Sequence, residues 1–193
     1  MSDSQKNRAI FLDRDGTINV DKGYIYKEQD FVFLPGVIDA LRVLYDKGFL
    51  LIIVTNQSGI GRGYYTEKDF EKLNAWMLDK LENQGVHIAK VYYCPHLPDA
   101  PLDEYRKDCE CRKPKLGMYY QAITDYNIDL GNSFAIGDKI RDCVIAELTD
   151  CKGILIGTNE NQDIINEVKA GKHSNVEYAK DLLEASKIIV EST

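Results

Sequence analysis

The chain of 193 residues is long enough for one well-filled core and short for two independent ones. A net charge of -7 leaves no basic excess to replace the counterions of a nucleic acid, so no nucleic-acid partner is expected. No apolar run approaches the roughly 20 residues that span a bilayer, and the start, Met1 to Arg8, lacks a basic segment followed by an apolar one. No membrane partner is therefore expected, and the expected location is the cytoplasm.

Ala9–Leu12 is a short apolar run bounded by charge and reads as a buried strand ending at Asp13. Residues 16–34 read as an extended excursion with turns. Pro35-Gly36 opens a helix with Val37, Leu41, Leu44 and Tyr45 on one face, and Gly48 stops it. Phe49–Val54 is a continuous β-type run, the pattern of a central parallel strand. Thr66 is the predicted N-cap of a helix reaching about Gln84, with Phe70, Leu73, Met77 and Leu81 at helical spacing. A third strand is expected over His87–Tyr93, and a long Pro-rich loop over residues 94–114. Helices follow at 116–126 and about 140–148, strands at 133–136 and 152–156, and a last helix near 178–190. Alternating strands and helices joined by short links predict a single α/β domain over 1–193, a three-layer sandwich around a mostly parallel, Rossmann-like sheet. Ligands bind such sheets beyond the carboxyl ends of the strands. Asp13, Thr55-Asn56, Cys94 and Asp138 all fall there.

Cys94-Pro-His96 and Cys109-Glu-Cys111 offer three thiolates and one imidazole, a set that suits tetrahedral zinc with no open position. The predicted site is structural and spans about residues 94–113, a loop too polar to build a core of its own. A redox pair fits less well, because neither pair is Cys-x-x-Cys. Cys143 and Cys151 read as small buried thiols, and an odd count of five without an export signal argues against a disulfide framework.

Asp13-Arg-Asp15-Gly-Thr17 follows the first strand, and Gly137-Asp138-Lys-Ile-Arg-Asp142 follows the fourth. With Val54-Thr55-Asn56 and a lysine ahead of a later helix, these segments resemble the four motifs of haloacid dehalogenase superfamily phosphatases. The resemblance covers residues 9 to about 157. It implies that Asp13 is the nucleophile forming an aspartyl-phosphate, that Asp15 protonates the leaving oxygen and later deprotonates water, and that Thr55 and a lysine hold phosphoryl oxygens. It also implies magnesium held by Asp13, the Asp15 carbonyl and Asp138, an oxygen-ligand set that suits a hard cation. Asp142 is expected behind the ligands. Lys113 and Lys115 both fit the lysine by position, and the Arg-Lys-Pro context of the resemblance selects Lys113.

The zinc loop, Asp13-Arg-Asp-Gly-Thr-Ile-Asn19 and Thr55-Asn-Gln-Ser-Gly-Ile-Gly61 further resemble the D-glycero-D-manno-heptose 1,7-bisphosphate phosphatases. The closely related histidinol-phosphate phosphatases share most of these residues. No large cap fits between the motifs, so loops must form the pocket. The resemblance assigns substrate contact to Asp21, Lys22, Gly23, Tyr24, Asn56, Gln57, Ser58 and Arg112, with Lys139 added. Arg112 beside Lys113 suits a second phosphate better than the amine of histidinol phosphate. His96 is followed by Leu97-Pro98 where many members carry a second His, a departure that touches substrate preference and not the zinc ligands. Removal of the 7-phosphate to leave heptose 1-phosphate is the implied reaction. A non-catalytic zinc-stabilised sugar-phosphate binder and a nucleic-acid 3′-phosphatase are the readings from other classes. No heptad seam is visible, so a monomer is expected.

Overall fold

A computed structural model describes residues 6–157 and 162–193 of the chain. The first five residues of the start therefore lie outside the described residues. Six strands form one sheet in the order β3-β2-β1-β4-β5-β6: β1 Ala9–Leu12, β2 Leu50–Asn56, β3 Ile88–Cys94, β4 Phe134–Gly137, β5 Lys152–Ile156 and β6 Val176–Ala179. Every pairing is parallel. Among the described residues, seven α-helices accompany them: α1 Val37–Asp46, α2 Ser58–Gly61, α3 Glu67–Glu82, α4 Gly117–Tyr126, α5 Val144–Leu148, α6 Gln162–Lys169 and α7 Leu182–Glu191.

Side chains alternate across a strand, and that alternation divides the core in two. Ile10, Leu12, Leu51 and Ile53 face α1, α3 and α7, where they meet Leu41, Leu44, Leu73, Met77, Leu182 and Ile189. Ala9, Phe11, Ile52 and Val54 face the other way, onto Met118, Tyr119 and Ala122 of α4 and Ile145 of α5. Phe11 meets Tyr119 edge to face at 5.2 Å. The result is the three-layer α/β sandwich expected from the sequence, with helices on both faces of a parallel sheet.

Strand order reverses between β1 and β4, because the chain works outward from β1 through β2 and β3 and then returns to the opposite side. That is the switch point at which open parallel sheets leave a crevice for ligands. Asp13 follows β1 and Asp138 follows β4, and the Asp13 amide donates to the Ile136 carbonyl at 3.0 Å. Both acids thus stand side by side over the crevice.

Several boundaries differ from the sequence reading, each for a local reason. β2 runs on through Thr55 and Asn56, which pair with Tyr93 and Cys94 of β3. The helix expected over 140–148 is two pieces, a 3-10 turn at Ile140–Asp142 and α5, because the Asp142 carboxylate turns back to accept from the Lys139 amide at 3.1 Å. The helix expected from about 178 begins only at α7, where the Asp181 side chain accepts from the Glu184 amide at 2.8 Å. The residues before it make β6, an edge strand too short and too polar at Glu177 to announce itself. α6 has no counterpart in the sequence reading. Thr66 caps α3 as predicted, and Asp69 completes a reciprocal capping box. Among the described residues, no helix is long and apolar enough to cross a membrane.

Candidate active site

Four buried charged side chains meet above the carboxyl ends of β1 and β4. Lys113 Nζ lies 2.9 Å from Asp13 Oδ1 and 2.7 Å from Asp142 Oδ1, and it donates to the Val54 carbonyl at 2.6 Å. Lys113 is 2% exposed, Asp142 1%, Asp13 7% and Asp138 5%, so water does little to screen them. Asp13, Asp138 and Asp142 bring carboxylate oxygens within 4.8 Å of one another. Asp138 also pairs with Lys139 Nζ at 3.2 Å, and Lys139 reaches Asp21 at 3.7 Å.

This crowding explains the titration behaviour. Burial pushes Asp13 up to about 7, with Lys113 pulling the other way and Asp142 adding to the rise. Burial likewise raises Asp138 despite Lys139. Lys113 is held above the usual lysine range, because attraction to Asp13 and Asp142 outweighs its own desolvation. Asp13 and Asp142 share the one buried ammonium of Lys113, and Asp138 shares Lys139 with Asp21, so carboxylates outnumber the cations beside them. A hard divalent cation among Asp13, Asp138 and the Asp15 carbonyl fits that excess.

Asp15 is treated differently. Burial pushes it up, but the Arg14 guanidinium and hydrogen bonds from Asn19 and Gln57 outweigh burial and hold it below the usual carboxylate range. Arg14 is fully buried and lies 2.8 Å from Asp15 Oδ2; Gln57 Nε2 donates to Asp15 Oδ2 at 3.0 Å and to Thr55 Oγ1 at 2.9 Å. Gln57 is held in turn by Tyr65, whose hydroxyl donates to Oε1 at 2.6 Å. Two acids two residues apart therefore sit in unlike environments in the metal-free chain, Asp13 pushed up by burial and Asp15 held down by Arg14 and its hydrogen bonds.

Two glycines make the arrangement possible. Gly16 has φ +88°, and a Cβ there would lie 2.5 Å from Asp138 Oδ2. A Cβ on Gly59 would lie 2.2 Å from the Tyr65 ring, the ring that fixes Gln57.

A cleft of ≈ 290 Å³ opens over the acids. Of the sequence-predicted residues, Asp13, Asp15, Thr55, Asp21, Gly23, Tyr24, Asn56, Gln57, Ser58 and Lys139 line it. Lys113 lies beneath, and its backbone is clasped by Asn56, which donates to the Lys113 carbonyl and accepts from its amide, both at 3.0 Å. Lys22 and Arg112 do not line the cleft. Lys22 is exposed, and Arg112 Nη1 donates to the His96 carbonyl at 3.2 Å. Lys115 pairs with Asp108 and Glu110 at the surface, which leaves Lys113 as the lysine of the site. Gly59, from the Thr55–Gly61 segment, also lines the cleft, as do Tyr65 and Arg141, which were not singled out from the sequence. Arg141 falls inside the Gly137–Asp142 segment, where the acids drew attention away from it.

Cys94, His96, Cys109 and Cys111 converge as the spacing predicted, with all four ligand atoms within 4.8 Å of one another. Sulfur–sulfur separations of 3.0–3.4 Å and a 3.3 Å contact from His96 Nδ1 to Cys111 Sγ draw the four into one cluster, three sulfurs and an imidazole nitrogen, the donor set that suits tetrahedral zinc. Burial and the nearby Lys107 hold His96 below the usual histidine range, so it is neutral and able to ligate. Glu67 of α3 accepts from Tyr93 at 2.6 Å and Tyr105 at 2.8 Å, tying the loop to the body of the fold.

The family model described as polynucleotide kinase 3 phosphatase matches residues 8–180. The D-glycero-beta-D-manno-heptose-1,7-bisphosphate 7-phosphatase of Haemophilus ducreyi is 48% identical over 165 residues, covering 84% of this chain and 90% of that protein. The chain is a member of that family and, within it, of the heptose-bisphosphate phosphatases. The enzyme of the same name from Photorhabdus laumondii is 44% identical over 184 residues, covering 95% of this chain and 90% of its own length. A crystal structure of D,D-heptose 1,7-bisphosphate phosphatase from B. bronchiseptica, complexed with magnesium and phosphate, superposes with a TM-score of 0.80 at 28% identity. It covers 96% of this chain and 99% of that one. A heptose-bisphosphate phosphatase with magnesium and phosphate therefore shares the fold into which Asp13 and Asp138 are set.

Proposed function

We propose that the chain is a magnesium-dependent phosphatase that removes the 7-phosphate of D-glycero-beta-D-manno-heptose 1,7-bisphosphate, leaving heptose 1-phosphate. The observation that carries the proposal is the buried cluster of Asp13, Lys113, Asp142 and Asp138 at the switch point of the sheet. The names of the relatives supply the sugar and its anomer.

In this reading Asp13 attacks phosphorus and forms an aspartyl-phosphate. Asp15 protonates the sugar oxygen as it leaves, then takes a proton from the water that releases phosphate. For that it must enter the reaction protonated, and a negatively charged substrate in the cleft opposes Arg14, which favours the ionised form. Thr55 and Lys113 hold phosphoryl oxygens, and Lys113 offsets charge that develops in the transition state. Asp142 fixes Lys113 and does not touch substrate. Asp13, Asp138 and the Asp15 carbonyl would hold magnesium, which when bound neutralises the repulsion between an anionic nucleophile and an anionic ester. Cys94, His96, Cys109 and Cys111 would hold a structural zinc that orders the backbone leading into Lys113.

Asp21, Gly23, Tyr24, Asn56, Gln57, Ser58 and Lys139 would meet the sugar and its phosphates from the cleft wall. The proposal includes one catalytic domain over 1–193 acting as a monomer in the cytoplasm. Histidinol phosphate is the competing substrate, and a 3′-phosphorylated oligonucleotide is the one the family model's description raises. Phosphate release from both heptose bisphosphate anomers, histidinol phosphate and such an oligonucleotide is the test, with Asp13→Asn as the blank. Preference for the beta anomer supports the proposal, and preference for either of the last two overturns it.

A further inference from the structure

Asp15, the acid proposed to protonate the leaving oxygen, is ringed by donors. Among the described residues, each side chain hydrogen-bonded to its carboxyl presents an N–H. Arg14 does so through Nε and Nη2, Asn19 through Nδ2 at 3.0 Å and Gln57 through Nε2 at 3.0 Å. A guanidinium can only donate, but a carboxamide carries an oxygen as well, and it keeps its nitrogen toward Asp15 only if something holds it there. The Val20 carbonyl does this for Asn19, accepting from Nδ2 at 3.0 Å. Tyr65 does it for Gln57, its hydroxyl donating to Oε1 at 2.6 Å. Turning that amide over would take from the Tyr65 hydroxyl the acceptor it has in the fold and set Oε1 against Asp15.

The Tyr65 ring is placed without help from its hydroxyl. It stacks on Tyr26 with centroids 5.3 Å apart and planes 14° apart, packs against Ile60 and Phe70, and fills the space that the missing Cβ of Gly59 leaves. Tyr65 and Gln57 are both buried, so an unmet Oε1 between them would be costly. Burial also holds the Tyr65 hydroxyl above the usual tyrosine range, so it keeps its hydrogen and remains a donor.

The orientation of Gln57 matters at the moment of proton transfer. As the ester P–O bond breaks, phosphorus bonds to Asp13, the electron pair goes to the sugar oxygen, and that oxygen takes the Asp15 hydrogen. An amide oxygen beside Asp15 would compete for the same hydrogen, whereas an N–H cannot accept it.

We infer that Tyr65 is a positioning residue of the reaction, whose hydroxyl locks the Gln57 amide with its N–H toward Asp15 and so leaves the Asp15 proton to the leaving oxygen. The inference rests on the reading of Asp15 as the acid. Tyr65 acts through Gln57 and needs no contact with the reacting atoms.

The test compares kcat/KM for heptose 1,7-bisphosphate with that for p-nitrophenyl phosphate, whose leaving oxygen departs as a stable phenolate and needs no proton. Wild type, Tyr65→Phe, Gln57→Glu and Asp15→Asn are measured with both. In Tyr65→Phe the ratio of sugar to aryl substrate is expected to fall about 3- to 10-fold, with the aryl value within about 2-fold of wild type. Gln57→Glu sets a carboxylate oxygen where the N–H was and is expected to lower the ratio further. A Tyr65→Phe variant that lowers both substrates alike, or leaves the ratio unchanged, overturns the inference. If Tyr65→Phe does not fold, an unchanged ratio in Gln57→Glu overturns it instead. A wild-type ratio in Asp15→Asn overturns the reading of Asp15 as the acid, and the inference with it.

Discussion

Replacing Lys113 with Met keeps the length and apolar stem of the side chain and removes its charge and its donors. In the wild type a single ammonium bridges Asp13 and Asp142 and satisfies the Val54 carbonyl. The variant leaves two carboxylates buried with no cation beside them. Breaking one buried pair costs ~3–5 kcal/mol, and because both pairs share one ammonium the cost does not double. Part of it is relieved by protonation, since Asp13 is already pushed up to about 7 and takes a proton more readily once Lys113 is gone. The expected loss in metal-free protein is therefore ~3–5 kcal/mol above that pH and smaller below it. For a chain of this size that corresponds to about 6–20 °C in melting temperature. Turnover by the folded variant should fall by about 10²–10³ or more, the range seen when one donor to a developing anion is removed. Thermal unfolding and phosphate release measure the two effects. Lys115→Met, on a surface lysine paired with Asp108 and Glu110, should leave both close to wild type. Equal effects from the two variants would refute the claim that the buried cluster is the catalytic centre.

The remaining expectations concern metal, backbone and pH. Protein purified without added metal should carry about one zinc per chain, and Cys111→Ser should lower zinc content and activity together; full activity without zinc would contradict the role given to the loop. Gly16→Ala forces a Cβ to within 2.5 Å of Asp138 Oδ2 at a φ of +88°, so it should weaken magnesium activation beyond the backbone cost of ~1–2 kcal/mol. A magnesium titration with a wild-type midpoint would contradict it. Asp13 holds its proton up to about 7 in the native metal-free chain, against an ordinary value of 3.8 once unfolded. The native state therefore binds the extra proton, and stability falls as pH rises through that window, the penalty being complete above about 7. The stability gained in Asp13→Asn over wild type should grow with pH across the same window and then level off; a difference that is flat in pH would contradict the assignment.

The parts of the site that the sequence made legible are those carried by local spacing. The zinc ligands come in two pairs recognisable from their spacing, whereas Asp13 and Asp15, which follow a buried strand directly, became legible as a site only together with Thr55, a lysine and Asp138. The choice of Lys113 over Lys115 came from resemblance; its physical reason, a fully buried bridge to Asp142, depends on a contact across 29 positions that no local pattern reveals. Arg112 was singled out because it stands beside Lys113; in the fold its Nη1 donates to the His96 carbonyl, a contact that no local pattern announces. Arg141 was hidden by the acids around it in the Gly137–Asp142 segment, and only the fold brings it to the cleft wall. β6 escaped for a related reason: four residues on the sheet edge need neither an apolar run nor clean alternation, and only their pairing with β5 identifies them.

As the proposed nucleophile, Asp13 becomes covalently phosphorylated during each turnover. Rapid-quench of a single turnover with substrate labelled at the 7-phosphate, followed by peptide mapping, tests it most directly. Transient, hydroxylamine-sensitive label is expected on the peptide containing Asp13, appearing before free phosphate and absent from Asp13→Asn. Label on another residue, or release of phosphate at the wild-type rate by Asp13→Asn, would contradict it.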